Sequence, residues 1–366
     1  MKRQIFLCLF CVLLLCAASA AAEGPDPRSL PSLREFYADY FYFGSAMNAA
    51  ETLKADLKAL YASQYSITTP ENELKPESVL DLPASKKAAQ DDQGSVALSF
   101  QSVKPLLEFA KENGLKVHGH VLFWHSQTPD AFFRESYSSG KPYVSRDVML
   151  RRMENYVRLT MDYMQENYPG LIVSWDVVNE AVDDSTGKLR QSNWTKVVGD
   201  DFVLQAFRFA RKYAPGGTLL FYNDYSTPYQ PKLNGILKLL DELSAENLAD
   251  GYGMQCHYQL TTPTVSQVKT ALSAITGKGL LVRISELDIL ADGKTDAQFA
   301  RQASRYADLM KVFLQYVDSI VAVQTWGTLD NHSWKSEHYP LLFNKDLTPK
   351  PAFHELTDPA ILPPST

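Results

Sequence analysis

The chain has 366 residues, 45% hydrophobic and 21% charged, enough apolar material for one large core. Lysine and arginine number 36 against 42 acidic residues, a net charge of −6 with the signs interspersed, and no basic stripe supports nucleic-acid binding. Aromatic residues make up 11%, including 19 tyrosines, a composition that suits a groove for sugar rings as well as a core.

At the N-terminus, Lys2 and Arg3 precede an apolar run from Ile5 to Leu15, and small residues around Ala18, Ala20 and Ala22 offer cleavage sites. This is the pattern of a secretory signal over residues 1–22, with 23–366 the mature, secreted domain. The run is too short for a membrane span. Leu13-Leu-Leu-Cys16 makes a poor lipoprotein box, because Leu15 stands where a small residue is required, so anchoring through Cys16 is not expected. Cys8, Cys11 and Cys16 all fall in this segment, leaving Cys256 alone in the mature chain and no internal disulfide to form. Cys256 reads as a small buried filler of an apolar strand.

From about residue 40 to 355, strand and helix patterns alternate. Apolar runs at Tyr40–Gly44, Tyr65–Thr69, Leu115–Trp124, Leu171–Val178, Thr218–Tyr222, Tyr252–Cys256, Leu280–Ile284 and Ile320–Trp326 predict strands. Helical periodicity marks Glu51–Ala62, Gln101–Asn113, Arg146–Asn167, Asp201–Tyr213, Pro231–Leu243, Val265–Ile275 and Asp296–Val317. Such alternation implies a parallel sheet, and eight units imply an α/β fold closed into a single (β/α)8 TIM barrel. No Gly-rich phosphate loop follows the first strand, which argues against an open doubly wound sheet. The polar stretch from Leu80 to Leu98 reads as an irregular surface loop, and no linker, repeat or appended module interrupts the chain.

The strand ends carry the chemistry. Leu171-Ile-Val-Ser-Trp-Asp-Val-Val-Asn-Glu180 and Leu280-Leu-Val-Arg-Ile-Ser-Glu286 each bring a carboxylate to the mouth of the barrel, where such folds place their active sites. Two carboxylates across one mouth are the minimum equipment for cleaving a glycosidic bond. Around them cluster Glu71, Asn72 and Lys75 after the second strand, His118, His120, Trp124 and His125 after the third, and Asn179 at the fourth. Tyr225, Gln255, His257, Asp288, Trp326 and Trp334 complete the set. Core packing does not call for amides, imidazoles and indoles at one end of many strands, whereas a polyhydroxylated ring does. His118 and His120 could suggest a metal-dependent barrel hydrolase, but alternation leaves little room for a third ligand, and neither metal nor cofactor is expected. A serine hydrolase would need a Gly-x-Ser-x-Gly elbow, which is missing. An imidazole at His257, held by Asp288, would instead orient Glu286 and keep it ionised.

Seven ordered motifs resemble glycoside hydrolase family 10, the endo-β-1,4-xylanases, over about Phe43 to Phe353. They are Thr-Pro-Glu71-Asn-x-x-Lys75, Gly-His120-x-x-x-Trp124-His-Ser-Gln, Trp-Asp-Val-Val-Asn179-Glu180, Tyr-Asn-Asp-Tyr225, Gly-x-Gln255-x-His257, Glu286-Leu-Asp288 and Trp326-Gly-x-x-Asp. The resemblance implies Glu180 as acid/base, Glu286 as nucleophile, and His257 with Asp288 as support for that nucleophile. It implies that Asn179 holds the 2-hydroxyl at the cleavage site and that Gln255 contacts the acid/base. Glu71, Asn72 and Lys75 are implied to bind on the non-reducing side. His120, Trp124, Trp326 and Trp334 are implied to wall the central subsites, and Tyr225 to form the leaving-group platform. The implied reaction is retaining hydrolysis of internal bonds in xylan and xylo-oligosaccharides by a monomer without cofactor, with mixed action on β-1,4-glucans as the alternative. Lys335 where arginine is usual and Pro76 where tryptophan is frequent put sugar contacts, not the reaction, in question.

Overall fold

A computed structural model describes Asp26 and residues 29–363; the expected signal segment 1–22, with Cys16, lies outside them. Eight parallel strands form the barrel: β1 (Tyr42–Met47), β2 (Ile67–Pro70), β3 (Lys116–Gly119), β4 (Ile172–Asn179), β5 (Leu219–Asp224), β6 (Gly251–Met254), β7 (Leu281–Leu290) and β8 (Ile320–Thr325). Each pairs with the next in chain order, and β8 pairs with both β7 and β1, which closes the ring. Around it run α1 (Ala55–Gln64), α2 (Lys104–Glu112), α3 (Arg146–Asn167), α4 (Phe202–Tyr213), α5 (Lys232–Ala245), α6 (Val265–Thr276), α7 (Asp296–Phe313) and α8 (Pro351–Leu356). The fold is the single (β/α)8 barrel that the alternation implies.

The local reasons are conventional. Helix α4 buries Phe202, Val203, Ala206, Phe207 and Ala210, one stripe at helical spacing. The Ser145 hydroxyl accepts the Val148 N–H at the start of α3, and Thr264 with Gln267 forms a capping box on α6. Strands β2 and β6 are buried at every position, as strands covered on both faces must be.

Three departures from the sequence reading shape the mouth. The expected strand Leu115–Trp124 breaks after Gly119 and resumes at Phe123–Trp124 against β4. The indole of Trp175 crosses Gly119 so closely that an added Cβ would lie 2.2 Å from the ring, so only glycine fits there. The expected strand Tyr252–Cys256 likewise stops at Met254, turns through Cys256 at φ +62°, and resumes as His257–Gln259 beside β7. Strand β7 runs on to Leu290, so Glu286 and Asp288 sit within a strand rather than beyond its end. The Leu80–Leu98 stretch is not irregular throughout: it contains a helix, Leu82–Ala88, capped by Asp81, and its ends meet in a Leu80–Leu98 bridge.

Beneath the mouth, the barrel interior holds a fully buried polar layer. Asp176 Oδ2 lies 2.9 Å from both His118 Nε2 and His120 Nδ1, and Arg283 contacts His118 and Gln324. Burial raises the cost of charge on Asp176, yet His118, His120 and Arg283 outweigh it and hold the carboxyl well below its ordinary range. Burial, reinforced by Arg283, lowers His118 to about 4.

Candidate active site

At the C-terminal ends of the strands lies a cavity of about 500 Å3. It is lined by every residue nominated above as catalytic or substrate-binding and by His257; Asp288 stands one layer behind. Gln127 and Ser226 line it too.

Glu180 follows the last residue of β4 and turns away from the strand at φ +57°. Its N–H donates to the Asn223 carbonyl at 2.9 Å, anchoring the turn to β5. Both side-chain oxygens accept from neutral donors: Trp124 Nε1 at 2.9 Å and Gln255 Nε2 at 3.0 Å. Gln255 Nε2 also donates to Asn179 Oδ1 at 3.1 Å, so the amide spans the two neighbours.

Glu286 has different company. Only 5% exposed, it accepts from Asn223 Nδ2 at 2.8 Å and lies 3.1 Å from His257 Nε2. His257 Nδ1 in turn lies 2.8 Å from Asp288 Oδ2, which also accepts from Trp334 Nε1 at 2.9 Å. With a carboxylate at each ring nitrogen, the imidazole is a double donor. Burial pushes its pKa down, but Asp288 and then Glu286 reverse this and raise it to about 10. Burial likewise pushes Glu286 up, and His257, with help from His120 and Asn223, holds it below its ordinary value. The site therefore contains a carboxyl–imidazole–carboxyl chain, Glu286–His257–Asp288.

On one flank, Lys75 is 6% exposed and donates to Asn72 Oδ1 at 2.9 Å and Gln127 Oε1 at 2.7 Å, with its ammonium 5.1 Å from the Trp124 ring centre. Burial lowers its pKa despite the nearby carboxylates. Glu71 beside it is raised by burial and by Glu51. Trp334 is 52% exposed and stands over the opening, while Trp326 packs edge-on against His120, ring centres 5.3 Å apart. On the other flank Tyr225 presents its ring to the cavity and donates its hydroxyl to Asp184 Oδ2 at 2.7 Å. His118 does not reach the cavity; it and His120 both spend a nitrogen on Asp176. Among the described residues no cluster of three or more His, Cys, Asp or Glu is arranged to hold a metal ion.

Sequence reasoning missed three contributors. Gln127 belongs to the Trp-His-Ser-Gln run, where nothing in the sequence marks its role; it joins Lys75 to Glu77, which accepts from its Nε2 at 2.6 Å. Asn223 belongs to Tyr-Asn-Asp-Tyr and donates to both Asn179 and Glu286. Its position depends on Gly253, where an added Cβ would lie 2.2 Å from Asn223 Oδ1. Asp176 sat in plain view in Trp-Asp-Val-Val, yet its service to two histidines becomes visible only with the register between β3 and β4.

A parallel barrel that gathers two carboxylates, amides and indoles in one cavity at its C-terminal mouth is a glycoside-hydrolase barrel. The chain belongs to glycosyl hydrolase family 10, whose pattern matches residues 32–359. It is 38% identical over 340 residues to endo-1,4-beta-xylanase B of Butyrivibrio fibrisolvens, covering 90% of this chain and 53% of that one. It is 34% identical over 345 residues to an endo-1,4-beta-xylanase of Geobacillus stearothermophilus, covering 89% of this chain and 97% of that one. The chain spans about half the length of the Butyrivibrio protein and 34% of the bifunctional xylanase XylA of Ruminococcus flavefaciens. Among solved structures, the CBM22-1–GH10 modules of a Clostridium thermocellum xylanase, complexed with xylohexaose, superpose with a TM-score of 0.85 at 32% identity, over 91% of this chain and 68% of that one. The intracellular xylanase of Thermoanaerobacterium saccharolyticum, complexed with xylotriose, gives 0.81 at 31% identity over 90% and 98%.

Proposed function

We propose that the chain is an endo-1,4-β-xylanase acting by retaining double displacement. One observation carries the reading: Glu180 and Glu286 share a cavity but have opposite partners, neutral donors for one and a cationic imidazole for the other. Glu286, ionised and held by His257 and Asn223, attacks the anomeric carbon. Glu180 gives its proton to the departing oxygen as the glycosidic bond breaks, leaving a glycosyl-enzyme. Glu180 then takes a proton from water, which attacks the same carbon and frees Glu286. Asn179 holds the 2-hydroxyl, Glu71, Asn72 and Lys75 the non-reducing side, and Tyr225 the leaving-group side; His120, Trp124, Trp326 and Trp334 wall the ring between them. No metal enters the reaction, so chelators leave the rate unchanged. Family membership and the xylanase relatives support this substrate class. Secretion after removal of residues 1–22, and action as a monomer, belong to the same proposal. N-terminal sequencing of the exported protein and its elution volume test these two points. Product analysis on xylan beside carboxymethyl cellulose tests the activity. Short xylo-oligosaccharides from xylan alone are expected; comparable release from the cellulose derivative makes it a mixed β-1,4-glycanase.

A further inference from the structure

Behind Tyr225 lies a side chain that the proposed chemistry does not use. Lys232, the first residue of α5, is 1% exposed, with its ammonium 2.6 Å from the Val182 carbonyl oxygen, 2.7 Å from Asp184 Oδ1 and 2.8 Å from Asp224 Oδ1. The same nitrogen stands 4.3 Å from the centre of the Tyr225 ring. Three donors are thus matched by three oxygens, two from the loop that follows Glu180 and one from the end of β5. A lysine at the start of a surface helix ordinarily stays in water, and burying an ammonium is costly unless every proton is placed.

The same two segments are joined from other directions. The N–H groups of Ala181 and Val182 donate to the Tyr222 hydroxyl at 3.0 and 3.1 Å, and that hydroxyl donates to Asp224. Arg190 Nε donates to the Glu180 carbonyl at 3.0 Å, while its Nη2 reaches the Val182 carbonyl at 3.3 Å and the Tyr225 hydroxyl at 3.1 Å. Tyr225 is therefore fixed at its hydroxyl and on one face, leaving the rest of the ring for the cavity. The backbone after Glu180 is held at both its N–H and its carbonyl groups. Glu180 occupies left-handed backbone, φ +57°, which a non-glycine residue keeps only where its surroundings impose it. Lys232 is the point where these restraints meet.

We propose that Lys232 is a positioning residue that joins the Glu180 loop to the Tyr225 ring, so that the proton donor and the leaving-group sugar are held in one register. The inference rests on the proposed glycosidase function. Protonating a sugar leaving group requires that register, whereas a dinitrophenolate departs without protonation. Lys232→Met in the full chain separates the two needs. The expected result is a fall in kcat/KM on xylotetraose of about 10²-fold, the cost of a small misplacement, with little change on 2,4-dinitrophenyl β-xylobioside. Equal losses on both substrates, or no loss on either, overturn the role.

Removing the ammonium leaves Asp224 buried without its cation. Burial has already pushed that carboxyl up to about 7, so the double variant Lys232→Met/Asp224→Asn removes the orphaned charge and is read on the same two substrates. Loss of fold in both variants, followed by circular dichroism, makes Lys232 a stability residue and overturns the proposal. Failure of the unmodified chain on both substrates overturns the hydrolase reading, and with it this role.

Discussion

The two sides of the cavity hold their carboxylates by different means. Glu286 is part of strand β7, almost wholly buried, and compensated by a cation that is itself compensated by Asp288. Glu180 lies just past β4 on left-handed backbone, half-buried, with an indole and an amide as its partners. A charged partner stabilises one ionisation state over the other, whereas neutral donors tolerate a group that must both give and take a proton. The contrast teaches that chemically identical side chains are assigned their work by what surrounds them. It also shows where rigidity is placed: in a ladder for the attacking group, in a clamp of side chains for the proton-transfer group.

The largest expected effect is at the charged side. Glu286→Ala should reduce turnover on the order of 10⁴–10⁶-fold, as loss of a nucleophile does elsewhere. Azide should then restore activity on an activated aryl xylobioside and give the inverted product. A retained product would remove Glu286 from the nucleophile's place. On the neutral side, Glu180→Ala should lower xylan cleavage by roughly 10²–10⁴-fold while sparing the first step on substrates with very good leaving groups. Equal damage to both substrate types erases the contrast between the two sides.

A third change sharpens the contrast instead of breaking it. His257 holds Glu286 below its ordinary pKa against the effect of burial. The working form of Glu286 is the anion, present above that pKa and lost as pH falls through it. With His257→Asn the burial effect prevails, so the acid limb of kcat/KM moves to higher pH. An unmoved acid limb means that His257 does not set the charge on Glu286. The smallest effect is expected on the flank at Gln127, the neutral bridge between Lys75 and Glu77. Gln127→Ala removes hydrogen bonds worth about 1 kcal/mol, so KM for xylo-oligosaccharides should rise about fivefold with kcat nearly unchanged. A drop in kcat alone would place Gln127 in the chemical step.

Much of this site is legible in the sequence because its chemistry is strung along strand ends. Asn179-Glu180 and Glu286-Leu-Asp288 follow apolar runs, and closing the barrel brings such ends together whatever the loops between them do. The parts that escaped depend on contacts between distant segments. The need for glycine at position 119 comes from the Trp175 indole on the neighbouring strand, and the turn at Cys256 lies inside an apolar run with no glycine at that position. Lys232 looks like an ordinary charged residue opening a helix; only the packing of two loops around it shows it as buried. Periodicity reports which face of an element is apolar, not which polar group a neighbour will enclose.

The central claim is that the two carboxylates act in sequence on the same carbon, one through a covalent bond and one through a proton. Proton NMR of the reducing-end signal during the first minutes of xylo-oligosaccharide cleavage tests it most directly. Two displacements preserve configuration, so the β-anomer should appear first and mutarotate towards equilibrium. An α-anomer as the first product would mean a single displacement by water and would contradict the account.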